Sequence, residues 1–173
     1  MEKVTFEGKT YVRQGGKWID SRYMVVHEGL QRDLNKEFAK QIDPQKLSLE
    51  DCIAQGDSFK NSGSSALALK FYEQAEKKAD RQTMLYILPR MTSCYRQTGQ
   101  AEKAIAILTT ATQKFGQAMV TPALLTSVAA AYCDLGDYAR AKKCCDRAYA
   151  SGGKGSEELS LVYDRIDKAI KGR

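Results

Sequence analysis

Five cysteines and a single histidine are the residues of this 173-residue chain with the widest reach in chemistry, as metal ligands, nucleophiles or redox groups. Cys133, Cys144 and Cys145 crowd into one segment, while Cys52, Cys94 and His27 lie far from it. No Cys-x-x-Cys pair occurs, so neither a zinc site nor a dithiol centre is expected. Side chains of adjacent residues point about 100° apart on a helix, and Cys144 and Cys145 therefore read as one core and one flanking residue rather than a bridge. An odd number of cysteines without a pairing framework fits reduced, structural thiols in a cytoplasmic protein. A redox role for residues 133–145 is the competing reading, and core packing is favoured over it. His27, next to Glu28 where a strand gives way to a helix, reads as a turn or cap residue rather than a general base. There is no glycine-rich phosphate loop and no Ser/His/Asp arrangement, and the carboxylates are scattered. The chain is expected to be non-enzymatic and to carry no cofactor or metal.

A second chemistry is nucleic-acid binding. Arg13, Lys17, Trp18, Arg22 and Tyr23 interleave cations and aromatic rings, the combination that single-strand binders use. The formal net charge is +6, but it is spread thinly, without a block of five like charges, and reads as a solvated surface with a mild positive bias. Trp18 and Tyr23 serve equally well as the core of a small sheet, and that reading is preferred. No apolar run approaches the roughly 18 residues of a membrane span, and the start Met1-Glu2-Lys3-Val4-Thr5 lacks the apolar core of a secretory signal. A soluble protein without membrane contacts is expected.

The elements that hold these residues show a repeat. Gly63, Gly99 and Gly136 are 36 and 37 residues apart. Each has an aromatic residue four positions before it (Phe59, Tyr95, Tyr132). Alanines follow at five positions (Ala68, Ala104, Ala141) and at twelve (Ala75, Ala111, Ala148). Eleven positions before the glycines stand Cys52, Leu88 and Leu125. Such offsets suit two antiparallel helices per copy, with glycine at the turn and alanine where axes only about 8–10 Å apart cross. Pro89 falls inside the first helix of the second copy, where a kink or a late helix start is expected. Ser156, Glu157 and Glu158 can open a last helix over 156–171, with Leu159, Val162, Tyr163, Ile166 and Ile170 at helical spacing.

The N-terminal 46 residues follow another pattern. Alternating Val4 and Phe6, turns at Glu7-Gly8-Lys9 and Gln14-Gly15-Gly16-Lys17, and β-prone stretches over 10–13 and 18–26 predict a meander of two or three strands. Leu30, Leu34, Phe38 and Ile42 then mark a helix ending near Asp43-Pro44. So small a sheet must pack on that helix, on the repeats or on a partner.

The run from Ala130 to Ala141, AAYCDLGDYARA, and the run from Ser93 to Ala104, SCYRQTGQAEKA, resemble the tetratricopeptide repeat, with a more degenerate first copy from about Leu49 to Ala79. The resemblance implies a mainly α chain: an α–α superhelix of three helix pairs (49–82, 85–118, 122–153) with a capping helix over 156–171. The repeat domain is then 47–173, after a small β-meander and helix over 1–46. It also implies a non-enzymatic adaptor or scaffold that holds a peptide or helix in a concave groove. By family geometry that groove is lined by Glu50, Ile53, Asp57, Lys60 and Asn61 in the first copy. Tyr86, Pro89, Ser93, Arg96 and Gln97 line it in the second, and Ala123, Thr126, Ala130, Cys133 and Asp134 in the third. The polar set Asp57, Lys60, Asn61, Tyr86, Ser93, Arg96, Gln97, Thr126 and Asp134 forms the candidate binding site. The family's carboxylate clamp for acidic chaperone tails needs cations and amides where this chain has Ile53, Asp57, Ser93, Ala130 and Asp134, so a terminal carboxylate would be repelled. A secretion-type chaperone of three repeats is disfavoured by the basic charge and the β-rich start. A homodimer through the edge of the meander is a further option.

Overall fold

A computed structural model describes residues 2–172, and the chain divides into two compact units, Met1–Lys78 and Ala79–Arg173. The first unit opens with an antiparallel meander, β1 (Lys3–Phe6), β2 (Lys9–Gln14) and β3 (Lys17–Ile19), in that order across the sheet. Each hairpin closes through two residues with positive φ, Glu7 (50°) and Gly8 (74°), then Gly15 (56°) and Gly16 (78°). These are type I′ turns, whose twist matches that of the strands they join. The third strand is shorter than the β-prone run over 18–26 predicts. The Asp20 carboxylate accepts the backbone N–H groups of Arg22 (2.8 Å) and Met24 (3.0 Å), folding the chain into a turn. The side-chain acceptor competes with the ladder, and only Val25 returns to bridge Ile19.

Helix α1 (Glu28–Lys40) starts at His27, whose Nδ1 accepts the Leu30 N–H at 3.3 Å. A 3-10 turn over Pro44–Lys46 leads into α2 (Leu49–Asn61) and α3 (Ser65–Lys78). A row of rings joins these elements. Trp18 meets Phe38 edge-on at 5.5 Å, Phe38 lies 6.3 Å from Phe59, and Phe59 stacks on Phe71 at 5.2 Å. Burial of each ring stabilises the unit by roughly 2–3 kcal/mol. Polar bonds fix the same junction: the Trp18 indole N–H donates to Asn35 Oδ1 (2.8 Å), and the Asn35 amide donates to the hydroxyls of Ser62 and Ser64 (both 2.9 Å). The sheet is thus packed on α1 and, through this row, tied to the first helix pair.

The second unit is helical throughout: α4 (Arg81–Gln97), α5 (Ala101–Phe115), α6 (Pro122–Asp134), α7 (Tyr138–Ala148) and α8 (Glu157–Lys171). Helices α4 and α5 form one pair, α6 and α7 the next, and α8 packs on both members of the latter. Because α6 also touches α4 and α5, it is buried almost all round, including Leu124, Leu125, Val128, Ala129, Ala130 and Ala131. Pro89 does not delay the helix start: α4 begins at Arg81, capped by Asp80, and continues through the proline to Gln97. The cost of the missing donor is confined to the carbonyl four residues back. The turn glycines Gly63, Gly99 and Gly136 share φ of 74°, so the sequence period returns as an identical left-handed turn. Alanines at the predicted crossings, Ala68, Ala75, Ala104, Ala111, Ala141 and Ala148, are all buried. The fold is mainly α, with three helix pairs of tetratricopeptide type and a C-terminal capping helix behind a small N-terminal sheet and helix.

Candidate functional site

In the second unit, α4, α6 and α8 lie side by side and carry a chain of charges. Arg96 Nε donates to one oxygen of Asp134 at 2.7 Å, and Arg165 Nη1 donates to the other at 2.6 Å. The Asp134 side chain keeps 27% of its surface, and those of Arg96 and Arg165 keep 26% and 44%. Burial works against the Asp134 carboxylate, but the hydrogen bonds from Arg96 and Arg165 outweigh it and hold the group below the usual carboxylate range. The Arg165 guanidinium is pushed up by the same bond. Two cations on one anion leave this face with a net positive centre.

The other predicted groove residues of this unit differ in what they can offer. Tyr86 is 41% exposed, and the Arg90 guanidinium lies over its ring at 3.6 Å while donating to the Tyr86 carbonyl. Ser93 is half-buried and Gln97 exposed. Thr126 is buried, with its hydroxyl donating to the Pro122 carbonyl at 2.9 Å, and Ala130 and Cys133 are buried as well. The crowding of α6 thus removes Thr126 from the surface a partner can reach. In the first unit Asp57 is half-buried and accepts the Tyr72 hydroxyl at 2.6 Å, Lys60 is half-buried, and Asn61 is exposed. Of the predicted set, Arg96 and Asp134 are brought into contact, and Arg165 joins them unforeseen. A reading that treats α8 as a cap assigns it no binding position.

The cysteine segment holds no activated thiol. Cys133 and Cys144 are raised by burial, and Cys145 is pushed up to about 12 by burial first and then by Cys133 and Cys144. Cys144 and Cys145 are both buried, where the sequence suggested one flanking residue. Among the described residues no group of three His, Cys, Asp or Glu side chains could hold a metal ion, and no helix is long and apolar enough to cross a membrane.

The basic and aromatic set at the N-terminus is split by the fold. Trp18 is fully buried and the Arg13 side chain is 1% exposed. The Arg13 guanidinium lies 5.6, 5.6 and 5.0 Å from the rings of Trp18, Phe38 and Phe59 and is paired with Glu2 at 3.5 Å. Only Lys17, Arg22 and Tyr23 of that set remain on the surface.

No family model matches the sequence, and no curated protein matches it either. Solved structures do. The Sgt2 TPR domain from Aspergillus fumigatus superposes with a TM-score of 0.60 at 20% identity, over 71% of this chain and 79% of that one. A Podosopora anserina chain of nearly identical TPR-like repeats superposes with a TM-score of 0.51 at 17% identity, over 75% of this chain and 69% of that one. The fold is TPR-like.

Proposed function

We propose that the chain is a non-enzymatic protein-interaction module, an adaptor or scaffold that holds a peptide or helix of another protein on the face made by α4, α6 and α8. The observation that carries this reading is the Arg96–Asp134–Arg165 chain. It spans three neighbouring helices at partial exposure, with Ser93 and Gln97 close to Arg96 on α4 and the exposed Tyr86 ring about 15 Å further along that helix. Such a surface suits side-chain hydrogen bonding to an extended or helical ligand, with an aromatic contact at one end. The TPR-like neighbours support the reading by fold alone. Photo-crosslinking tests it. A benzophenone amino acid at Gln97 should capture a partner that the same group at Glu102, on α5, does not. Equal capture from both positions would remove the helix face from consideration. Single-stranded RNA titrated at increasing salt is the control, because phosphate contacts lose affinity steeply with salt.

A further inference from the structure

Residues 20–27 of the first unit combine features that neither the core nor the helix face uses. Tyr23 has φ of 60°, a left-handed conformation that a bulky residue rarely adopts, and its side chain is 82% exposed. Met24 and Val25 beside it are 62% and 56% exposed. Three consecutive apolar side chains are therefore displayed on a strained turn that no packing explains. Next to them lies a cleft of about 560 Å³ lined by Lys9, Thr10 and Tyr11 of β2, by the turn, and by His27 and Leu30 at the start of α1.

The backbone there is also open. Ile19 and Val25 face each other across a bridge flanked by two bonds, Asp20 N–H to the Met24 carbonyl and Val26 N–H to the Trp18 carbonyl. In such a pair the N–H and C=O of Val25 point away from β3, and no described residue takes them up. This is a sheet edge of one residue, able to receive an extended chain with two hydrogen bonds.

Charge selects what that chain carries. Lys9 lines the cleft and has no ion-pair partner among the described residues, and the N-terminal end of α1 opens at its side. Arg22, with 82% of its side chain exposed, pairs with Asp20, whose carboxylate is already spent on that guanidinium and two backbone amides. Glu28 is exposed but does not line the cleft. The uncompensated charge is positive. We infer that this cleft and edge form a second docking site, independent of the helix face, for an extended peptide segment that alternates apolar and acidic side chains.

The test uses the full chain, labelled with ¹⁵N, and a capped hexapeptide of alternating valine and glutamate, with the valine–lysine hexapeptide as control. The acidic peptide, at up to about 1 mM, should shift the amide signals of residues 9–11 and 22–27, and the basic peptide should leave them in place. Lys9→Glu should weaken the interaction by at least about fivefold. Tyr23→Gly, which removes an exposed ring beside the cleft but none of its lining, should weaken it while leaving the melting temperature unchanged or higher, because glycine takes φ of 60° without strain. A lower melting temperature for Tyr23→Gly would make the residue structural and overturn the proposal. So would shifts confined to α4 and α6, a stronger response to a single-stranded oligonucleotide than to the acidic peptide, or a dimer in sedimentation that Tyr23→Gly dissolves.

Discussion

Asp134 accepts hydrogen bonds from guanidinium groups on α4 and α8 while standing on α6, so one carboxylate ties three helices of the second unit together. With 27% of the side chain still in contact with water, screening limits what the arrangement contributes. Replacement Asp134→Asn should lower stability by about 1 kcal/mol, seen as a melting point about 3 °C lower. The dependence on pH has a definite sign. Burial raises the carboxyl and the two arginines lower it further, so its native value lies below the unfolded one. The stabilisation is complete above about pH 4, where the unfolded group is ionised, and is lost as pH falls through the native value. Unfolding curves of the native chain and Asp134→Asn should be separated at neutral pH and converge in acid. Curves that stay parallel would show that the carboxylate's charge contributes nothing. Arg96 and Asp134 entered the candidate set through the groove positions that the tetratricopeptide resemblance implies. Arg165 did not, because it follows the irregular segment over Tyr149–Gly153, where no repeat register continues.

Among the elements, the α2–α3 crossing shows best how tightly the repeat period constrains packing. A Cβ placed on Gly56 would lie 2.6 Å from Tyr72 Cε1 and 2.8 Å from Cδ1, and that ring is fully buried, with its hydroxyl donating to Asp57. Alanine gains about 1 kcal/mol of helix propensity over glycine, but forcing a buried ring aside costs about 1–3 kcal/mol. Gly56→Ala should therefore destabilise the first unit by about 1 kcal/mol net, measurable by denaturant unfolding; a more stable variant would mean that Tyr72 can move aside freely. Both hairpins of the sheet were legible in Glu7-Gly8 and Gly15-Gly16, because those residues suit the two positive φ angles of a two-residue loop. The end of β3 was not. Nothing in the β-prone run over 18–26 announces that Asp20 would accept two backbone donors and stop the ladder. Pro89 misled in the other direction, since its local penalty is outweighed by a long helix whose Met84, Ile87, Leu88 and Met91 are all buried.

At the scale of the whole chain, the period of 36 and 37 residues between the turn glycines carried the helical fold almost unaided. The place of the first 46 residues could not be read that way. Trp18, Phe38 and Asn35 have no periodic partners, and it is the ring contacts and amide bonds to the first helix pair that give them a role. A chain beginning at Leu47 should accordingly lose more helical circular dichroism than the 13 residues of α1 account for, and should bind an apolar dye through the uncovered Phe59 and Phe71. A loss matching α1 alone would show that the first helix pair stands without its cover.

The Arg13 guanidinium bears on how that unit opens. Its Nε and Nη2 have no hydrogen-bond partner among the described residues, and its charge is sheltered by rings from β3, α1 and α2 with Glu2 at the margin. A cation in that position is tolerable only when every wall is in place, because an incomplete box neither solvates it nor offers the faces of its rings. Partly assembled forms of the unit are therefore penalised more than the finished one, and sheet, α1 and α2 should exchange their amide hydrogens together, as one cooperative block.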